Sequence, residues 1–369
     1  MIRAASRVGC VVEPGNGGVR AAGPWADVDR IAFAVPDPEH RLAGVRLLPE
    51  LDLPATLRDF DFDTGVWRLE LPPPPAARME YRVELQHPDG GIETTTDPGN
   101  PRSTPGAFGP KSVLELPGYA APAWLDRVPP WPVSAELSVE TEVGPVEVTV
   151  RSPAAAARRL LLAHDGPEYD ALAALGGFAA ALERDGRLPP FQLALAAPGA
   201  RNDRYSADPD YSDALADRVL PRLHETLGTT GPAVLIGASL GALAALHLQR
   251  RHTDLVAGLF LQSGSFFTPE LDACESQFPH FARIVAAVDA VHRHRPAGRA
   301  VPTVLTCGAA EENRHNNRRM AETLRRQGYP VTLAEVPDAH NYVAWRDAFD
   351  PHLAGLLQQV WGHLGGRSA

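Results

Sequence analysis

At 369 residues the chain is long for one domain and comfortable for two. A formal net charge of −10 argues against nucleic acid or an anionic membrane as the main partner, and no apolar run approaches the length of a membrane span. Three scattered cysteines (Cys10, Cys274, Cys307) have neither disulfide-framework nor metal-site spacing, so no metal or organic cofactor is implied.

Met1 to Pro14 carries two arginines but no apolar core of signal-peptide length, which predicts a soluble, cytoplasmic protein. Short alternating runs then dominate as far as about residue 125. Ile31–Val35, Gly44–Leu48, Val66–Leu71 and Met79–Leu85 read as half-buried strands, separated by turn signals such as Pro72–Pro75 and Asp89–Gly91. A β-sandwich over residues 1–125 fits this pattern. Gly118 to Pro132 is rich in proline and aromatics, too apolar for a free tether, and residues 126–134 are expected to be a packed linker. From residue 135 to 369 strands and helices alternate, which predicts a mostly parallel sheet with helices on both faces. That part opens on a hairpin, Glu136–Glu142 and Val146–Arg151, around Gly144-Pro145.

Further on come the apolar strands Leu160–Ala163 and Phe191–Ala196, and then the most informative stretch. Ala233–Ile236 reads as a buried strand, Gly237-Ala-Ser239-Leu-Gly241 follows at once, and Leu243, Leu246 and several alanines carry a helix. A serine squeezed between strand and helix sits on a strained turn that small residues at ±2 allow, with its hydroxyl lifted above the sheet. The N–H of the next residue, Leu240, is left to face a developing oxyanion. In this context Ser239 reads as a nucleophile.

A serine needs a base, and the base needs an orienting acid. In the α/β-hydrolase order the acid comes next and the histidine last. Val301–Cys307 reads as a strand opening into Gly308-Ala-Ala-Glu311-Glu312-Asn313, with a helix from about His315 to Gln327. Val331–Val336 is the next strand, followed by Pro337-Asp338-Ala-His340. Acid and histidine thus fall on loops past the C-terminal ends of strands, where open α/β sheets place their sites. Of thirteen histidines His340 is the choice. His164 also ends a strand but precedes the serine and is read as a lining or structural residue. Glu311 is the expected acid, with its neighbour Glu312 and the loop residue Asp338 as alternatives.

With these pieces in place the chain resembles the enterochelin (ferric enterobactin) esterase branch of the esterase-D-type α/β-hydrolases. The matching motifs are Asp97-Pro-Gly-Asn-Pro101, Phe108-Gly-Pro-Lys-Ser112, His164-Asp-Gly-Pro-Glu-Tyr169, the Ser239 elbow, Gly308-Ala-Ala-Glu311 and His340-Asn-Tyr-Val-Ala-Trp345-Arg346. The resemblance implies an immunoglobulin-like E-set domain before an α/β-hydrolase domain. It also implies a Ser239–His340–Glu311 triad and a small-molecule ester substrate, a catecholate siderophore among the candidates.

Two features depart from the family pattern. The residue after the Asp-Gly pair, which supplies an oxyanion N–H in related enzymes, is Pro167 and has none to give. The partner of Leu240 N–H is therefore sought at Gly166, Glu168 or Tyr169. Nor is there a cluster of basic and aromatic residues built for an iron-tricatecholate. Tyr169, Arg204, Tyr205, Trp345 and Arg346 are the candidate substrate-binding residues; Arg201, Arg204, Tyr205 and Tyr211 read equally as a solvated loop. Rival readings are a carbohydrate-directed (acetyl or feruloyl) esterase with a glycan-binding N-terminal module, using Trp25 and Trp67 as a stacking platform, and an acyltransferase on the same scaffold.

Overall fold

A computed structural model describes residues 23–125 and 127–362. The leader reading at Met1–Pro14, Cys10 and the first linker position, 126, lie outside the described residues.

The N-terminal strands are β1 (Trp25–Ala26), β2 (Ile31–Pro36), β3 (Gly44–Pro49), β4 (Asp61–Asp63), β5 (Val66–Leu71), β6 (Arg78–Gln86), β7 (Ile92–Thr95), β8 (Ser103–Thr104) and β9 (Lys111–Glu115). They make two antiparallel sheets, β1-β2-β5-β4 and β3-β6-β9-β8, with β7 beside β6. Ile31, Phe33 and Val35 of one sheet meet Leu47, Tyr81 and Val83 of the other in a shared core. Phe33 stands edge-on to Tyr81 at 5.0 Å between ring centroids, a favoured aromatic geometry. Trp67 belongs to this core and donates its indole N–H to Asp37 at 3.1 Å.

Eight strands form the second sheet: β10 (Val133–Val139), β11 (Val146–Arg151), β12 (Arg159–Ala163), β13 (Phe191–Ala196), β14 (Ala233–Ala238), β15 (Val256–Gln262), β16 (Thr303–Gly308) and β17 (Val331–Val336). Their order is β10-β11-β13-β12-β14-β15-β16-β17. β10, β11 and β13 pair antiparallel, and from β13 to β17 every pairing is parallel. Strand β10 starts at Val133, inside the expected linker, and ends at Val139, three residues before the expected Glu142. The helices are α1 (Gly166–Ala173), α2 (Leu175–Arg184), α3 (Arg201–Tyr205), α4 (Pro209–Ala214), α5 (Leu220–Leu227), α6 (Leu240–Arg251), α7 (Phe281–Arg293), α8 (Arg314–Arg326), α9 (Tyr342–Asp347) and α10 (Ala354–Trp361).

Strand alternation divides the core into two layers. Ala233 and Leu235 of β14 face Leu243 and Leu246 of α6, Val288 of α7 and Met320 of α8. Val234 and Ile236 face the other way, onto Phe178 of α2 and Leu357 of α10. From β12 the chain crosses to β13 on one side and later returns to β14 on the other. The crevice of an open α/β sheet forms where the order reverses in this way, here between the ends of β12 and β14. Trp124 and Trp131 of the expected linker region pack into the hydrolase core against α2 and β13. Trp124 lies 5.0 Å from Phe178, and Trp131 lies 5.0 Å from Phe191 while donating to Glu183 at 2.6 Å.

Candidate active site

Ser239 sits at the switch point, between the end of β14 and the start of α6. Its backbone lies at φ 56°, ψ −123°, a region that costs a non-glycine residue about 1–3 kcal/mol and persists only when its surroundings enforce it. Gly237 is part of that enforcement, because a Cβ there would lie 2.3 Å from the carbonyl oxygen of Gly241. Ser239 N–H donates to Gln262 at the end of β15 (2.9 Å), and its carbonyl accepts from Ala242, Leu243 and Ser265. The hydroxyl is 3.0 Å from the Ser265 hydroxyl.

The N–H groups of a helix's first turn have no acceptor within the helix. Leu240 occupies that position in α6. In α1 the first intrahelical bond runs from Tyr169 N–H to Asp165, which removes Tyr169 from the donor candidates. Pro167 has no N–H, so Gly166 and Glu168 are the remaining first-turn donors. A Cβ on Gly166 would lie 2.3 Å from the Leu195 backbone, so the α1 start is held hard against β13.

Glu311 and His340 come together from the ends of β16 and β17. His340 Nδ1 is 3.3 Å from Glu311 Oε2, with the glutamate side chain fully buried and the imidazole 24 % exposed. The other Glu311 oxygen accepts from the Cys307 thiol. Burial opposes protonation of the imidazole, but the close contact and charge of Glu311, with the charges of Glu312 and Glu50 added, prevail and raise the His340 pKa above its ordinary value. Glu312 is exposed. Asp338 is engaged within its own loop, accepting from Ala339 N–H at 2.8 Å and Asn341 Nδ2 at 3.2 Å, and burial raises its pKa to about 7. His164 is buried against Tyr205, and burial lowers its pKa to about 4.

Of the expected substrate-binding residues, Tyr169, Arg204 and Tyr205 require correction, because all three are buried. Tyr169 is fully buried and donates its hydroxyl to Gln262 at 2.9 Å. Tyr205 and Tyr211 are core residues; the Tyr205 hydroxyl accepts from Asp165 N–H. Arg204 is buried beneath the β10–β11 hairpin, where it caps the carbonyls of Val143 (2.8 Å) and Pro145 (3.0 Å). Arg204, Tyr205 and Tyr211 are therefore interior groups, the two aromatic rings anchoring the segment in the core, while Asn202 and Asp203 remain exposed. Arg201 forms a two-pronged pair with Asp165, both contacts 2.8 Å. Trp345 backs His340 edge-on at 5.2 Å and donates to Ser263 at 2.9 Å. Arg346 is tied to Asp347 (2.7 Å) and the Tyr119 hydroxyl (3.0 Å).

Sequence reasoning missed the loop after β15. Buried Gln262 links Tyr169, Thr306 and the Trp345 carbonyl, and Asn317 holds both Gly264 N–H (3.0 Å) and Gly264 C=O (2.8 Å), fixing Ser265 beside Ser239. Among the described residues no His, Cys, Asp and Glu group could hold a metal, and no helix is long and apolar enough to cross a membrane.

The fold is that of several solved enzymes. The enterobactin esterase of Shigella flexneri, solved with 2,3-di-hydroxy-N-benzoyl-serine, aligns over 91% of this chain and 96% of its own, at 18% identity and a TM-score of 0.73. The ferric enterobactin esterase of Salmonella typhimurium gives the same identity, coverage and TM-score. A ferulic acid esterase aligns over 62% of this chain and 97% of its own, at 16% identity and a TM-score of 0.51. These likenesses establish an α/β-hydrolase-like fold. No curated protein matches the sequence. The model of the family described as "Putative esterase" matches residues 152–356, more than half of the chain, and the chain belongs to that esterase family.

Proposed function

We propose that the protein is a serine carboxylic ester hydrolase working through an acyl-enzyme. Ser239 Oγ attacks the ester carbonyl as His340 takes its proton. Leu240 N–H, with Gly166 or Glu168 N–H, holds the oxyanion, and Glu311 orients the imidazole and stabilises its cation. The alcohol leaves with the proton from His340. Water, deprotonated by the same imidazole, then releases the acid and restores the Ser239 hydroxyl. The observation that carries this reading is the positive-φ backbone of Ser239 between the end of β14 and the start of α6, the strained strand-to-helix turn on which a nucleophilic serine is presented.

The substrate reading is a catecholate siderophore ester, supported by the likeness in fold to enterobactin esterases over nearly the whole length of both chains. Two antiparallel sheets support reading the front of the chain as an immunoglobulin-like E-set domain ahead of the catalytic domain. The expected bounds 1–125, 126–134 and 135–369 shift toward the N-terminus, because Trp124 packs in the hydrolase core and β10 begins at Val133. The location is proposed as cytoplasmic. The glycan-platform reading loses its support, since Trp67 is a core residue.

The test is a fluorophosphonate label with hydrolysis assays on p-nitrophenyl esters, a catecholate trilactone and feruloylated or acetylated sugars. Ser239 should carry the label in the wild type, and Ser239→Ala should lose label and hydrolysis together. Label at another serine would overturn the assignment, and preference for a sugar ester over the trilactone would overturn the substrate class.

A further inference from the structure

Ser265 is bound to Ser239 twice. Its N–H donates to the Ser239 carbonyl at 3.1 Å, and its hydroxyl lies 3.0 Å from the Ser239 hydroxyl. Ser265 is buried, whereas Ser239 is partly open to solvent. Among the described residues the Ser265 hydroxyl has no hydrogen-bond partner other than Ser239.

The loop that carries Ser265 is held from three elements. Ser263, the first residue after β15, has φ 48°, a value that a non-glycine residue keeps only when its surroundings enforce it. Its N–H donates to the Thr306 carbonyl of β16 at 2.7 Å, and its hydroxyl accepts from the Trp345 indole of α9 at 2.9 Å. Asn317 of α8 clamps both main-chain groups of Gly264, at 3.0 and 2.8 Å. Two positive-φ serines, Ser239 and Ser263, thus follow the paired strands β14 and β15, and the second sets the position of Ser265 beside the first.

We propose that Ser265 is a further catalytic residue, whose hydroxyl donates a hydrogen bond to Ser239 Oγ while that oxygen reacts. The inference rests on the Ser239–His340–Glu311 reading above. A serine hydroxyl has one proton and two lone pairs. On attack the Ser239 proton passes to His340, and one lone pair forms the bond to the ester carbonyl carbon. The carbonyl π pair moves onto its oxygen, facing Leu240 N–H. The second lone pair of Oγ is left for a donor, and the Ser265 proton is placed to fill it. Partial negative charge builds on Oγ as its proton departs, and a fixed donor stabilises that charge more than it stabilises the neutral resting hydroxyl. The same bond serves when the acyl-enzyme breaks down. The acyl carbon–Oγ bond then breaks, Oγ keeps the electron pair, and His340 returns the proton.

The test uses the full chain and two reagents that share only the attack by Ser239, a fluorophosphonate and p-nitrophenyl acetate. Ser265→Ala keeps the main-chain bond to Ser239 and removes the hydroxyl alone. It should lower the second-order labelling rate and kcat/KM by one common factor, roughly tenfold, with Tm and the acid limb of the pH profile unchanged. Ser265→Cys, which keeps a weaker donor, should fall between alanine and wild type. Ser138→Ala, which removes an exposed hydroxyl from β10, should change neither rate. Wild-type rates in Ser265→Ala would overturn the proposal, as would a loss in one reaction without the other, the mark of a substrate contact. Equal losses in Ser265→Ala and Ser265→Cys with a lowered Tm would also overturn it, because they signal packing. Ser239→Ala separates the two readings. If it still hydrolyses ester, the triad reading fails and this one with it; if it is inert while Ser265→Ala reacts as wild type, only this inference fails.

Discussion

His340 and Glu311 meet at 3.3 Å although they stand on different loops, after β17 and β16, and the glutamate has no exposed side-chain surface. A buried acid on the imidazole nitrogen that faces away from solvent fixes the ring's tautomer and its orientation. Glu311→Gln should therefore lower kcat by about 10³- to 10⁴-fold with little change in Tm. Glu312→Gln, at an exposed position, and Asp338→Asn should stay within about tenfold of wild type. Steady-state kinetics on one p-nitrophenyl ester ranks the three, and a larger loss in either of the latter would move the acid to that residue.

The pH profile should report the same pair. On the proposed mechanism His340 has to be neutral to take the serine proton, and its pKa is raised above the ordinary histidine value because Glu311 outweighs burial. The acid limb of kcat/KM should thus be centred above about 6.5 and move down in Glu311→Gln, where the residual rate is still measurable. A limb at or below the ordinary value in the wild type would contradict the electrostatics described.

Asp338 gives a stability prediction of definite sign. Burial raises its folded pKa from 3.8 to about 7, so between those values the folded state holds a proton that the unfolded state has released. Its contribution is complete below about 3.8 and is lost as the pH rises through about 7. Asp338→Asn keeps the acceptor oxygen and removes the titration. The denaturation midpoint should drop less between pH 5 and pH 8 in the variant than in the wild type, by urea titration followed by circular dichroism. An equal drop would mean that Asp338 titrates normally in the fold.

Gly308 lies where the acid and histidine loops touch. A Cβ at that position would be 2.4 Å from the Asp338 carbonyl oxygen, which is main chain and has no rotamer to yield. Gly308→Ala should destabilise the protein by about 1–3 kcal/mol and depress kcat more than KM, because the two loops must part to admit the methyl. Chemical denaturation and kinetics on the same preparation would check both effects.

Much of the frame is legible in the sequence. β5, β11, β13 and β17 begin and end where apolar runs meet turn residues, and Ser239, Glu311 and His340 fall on loops after strands as chain order requires. β1, β4 and β8 are two or three residues long, too short to show an alternating pattern. β15 carries Gly258 near its start, which blurs the apolar run, and Gln262 and Ser265 on and after it belong to no catalytic motif, so both passed unnoticed. Tyr205 and Tyr211 read as surface because arginines and aspartates surround them, yet a pair of rings among charges is enough to anchor a loop in a core. The bonds from Asp52 to Ala310 and from Ala77 to Pro337 join main chain to main chain across more than 250 positions, and such bonds leave no trace in residue type.

The two tryptophans between the sheets have a consequence for recombination. Leu116 belongs to the N-terminal core, whereas Trp124 and Trp131 are interior groups of the hydrolase. A natural or laboratory exchange of the front module with a crossover at 125/126 would import a foreign residue at the Trp124 position and open a void against Phe178. A crossover between Leu116 and Tyr119 would pass the hydrolase on intact, but with the Ala310 and Pro337 carbonyls waiting for donors that the incoming module must happen to supply. Replacement of the front module is thus constrained to partners that present two N–H groups at the right spacing.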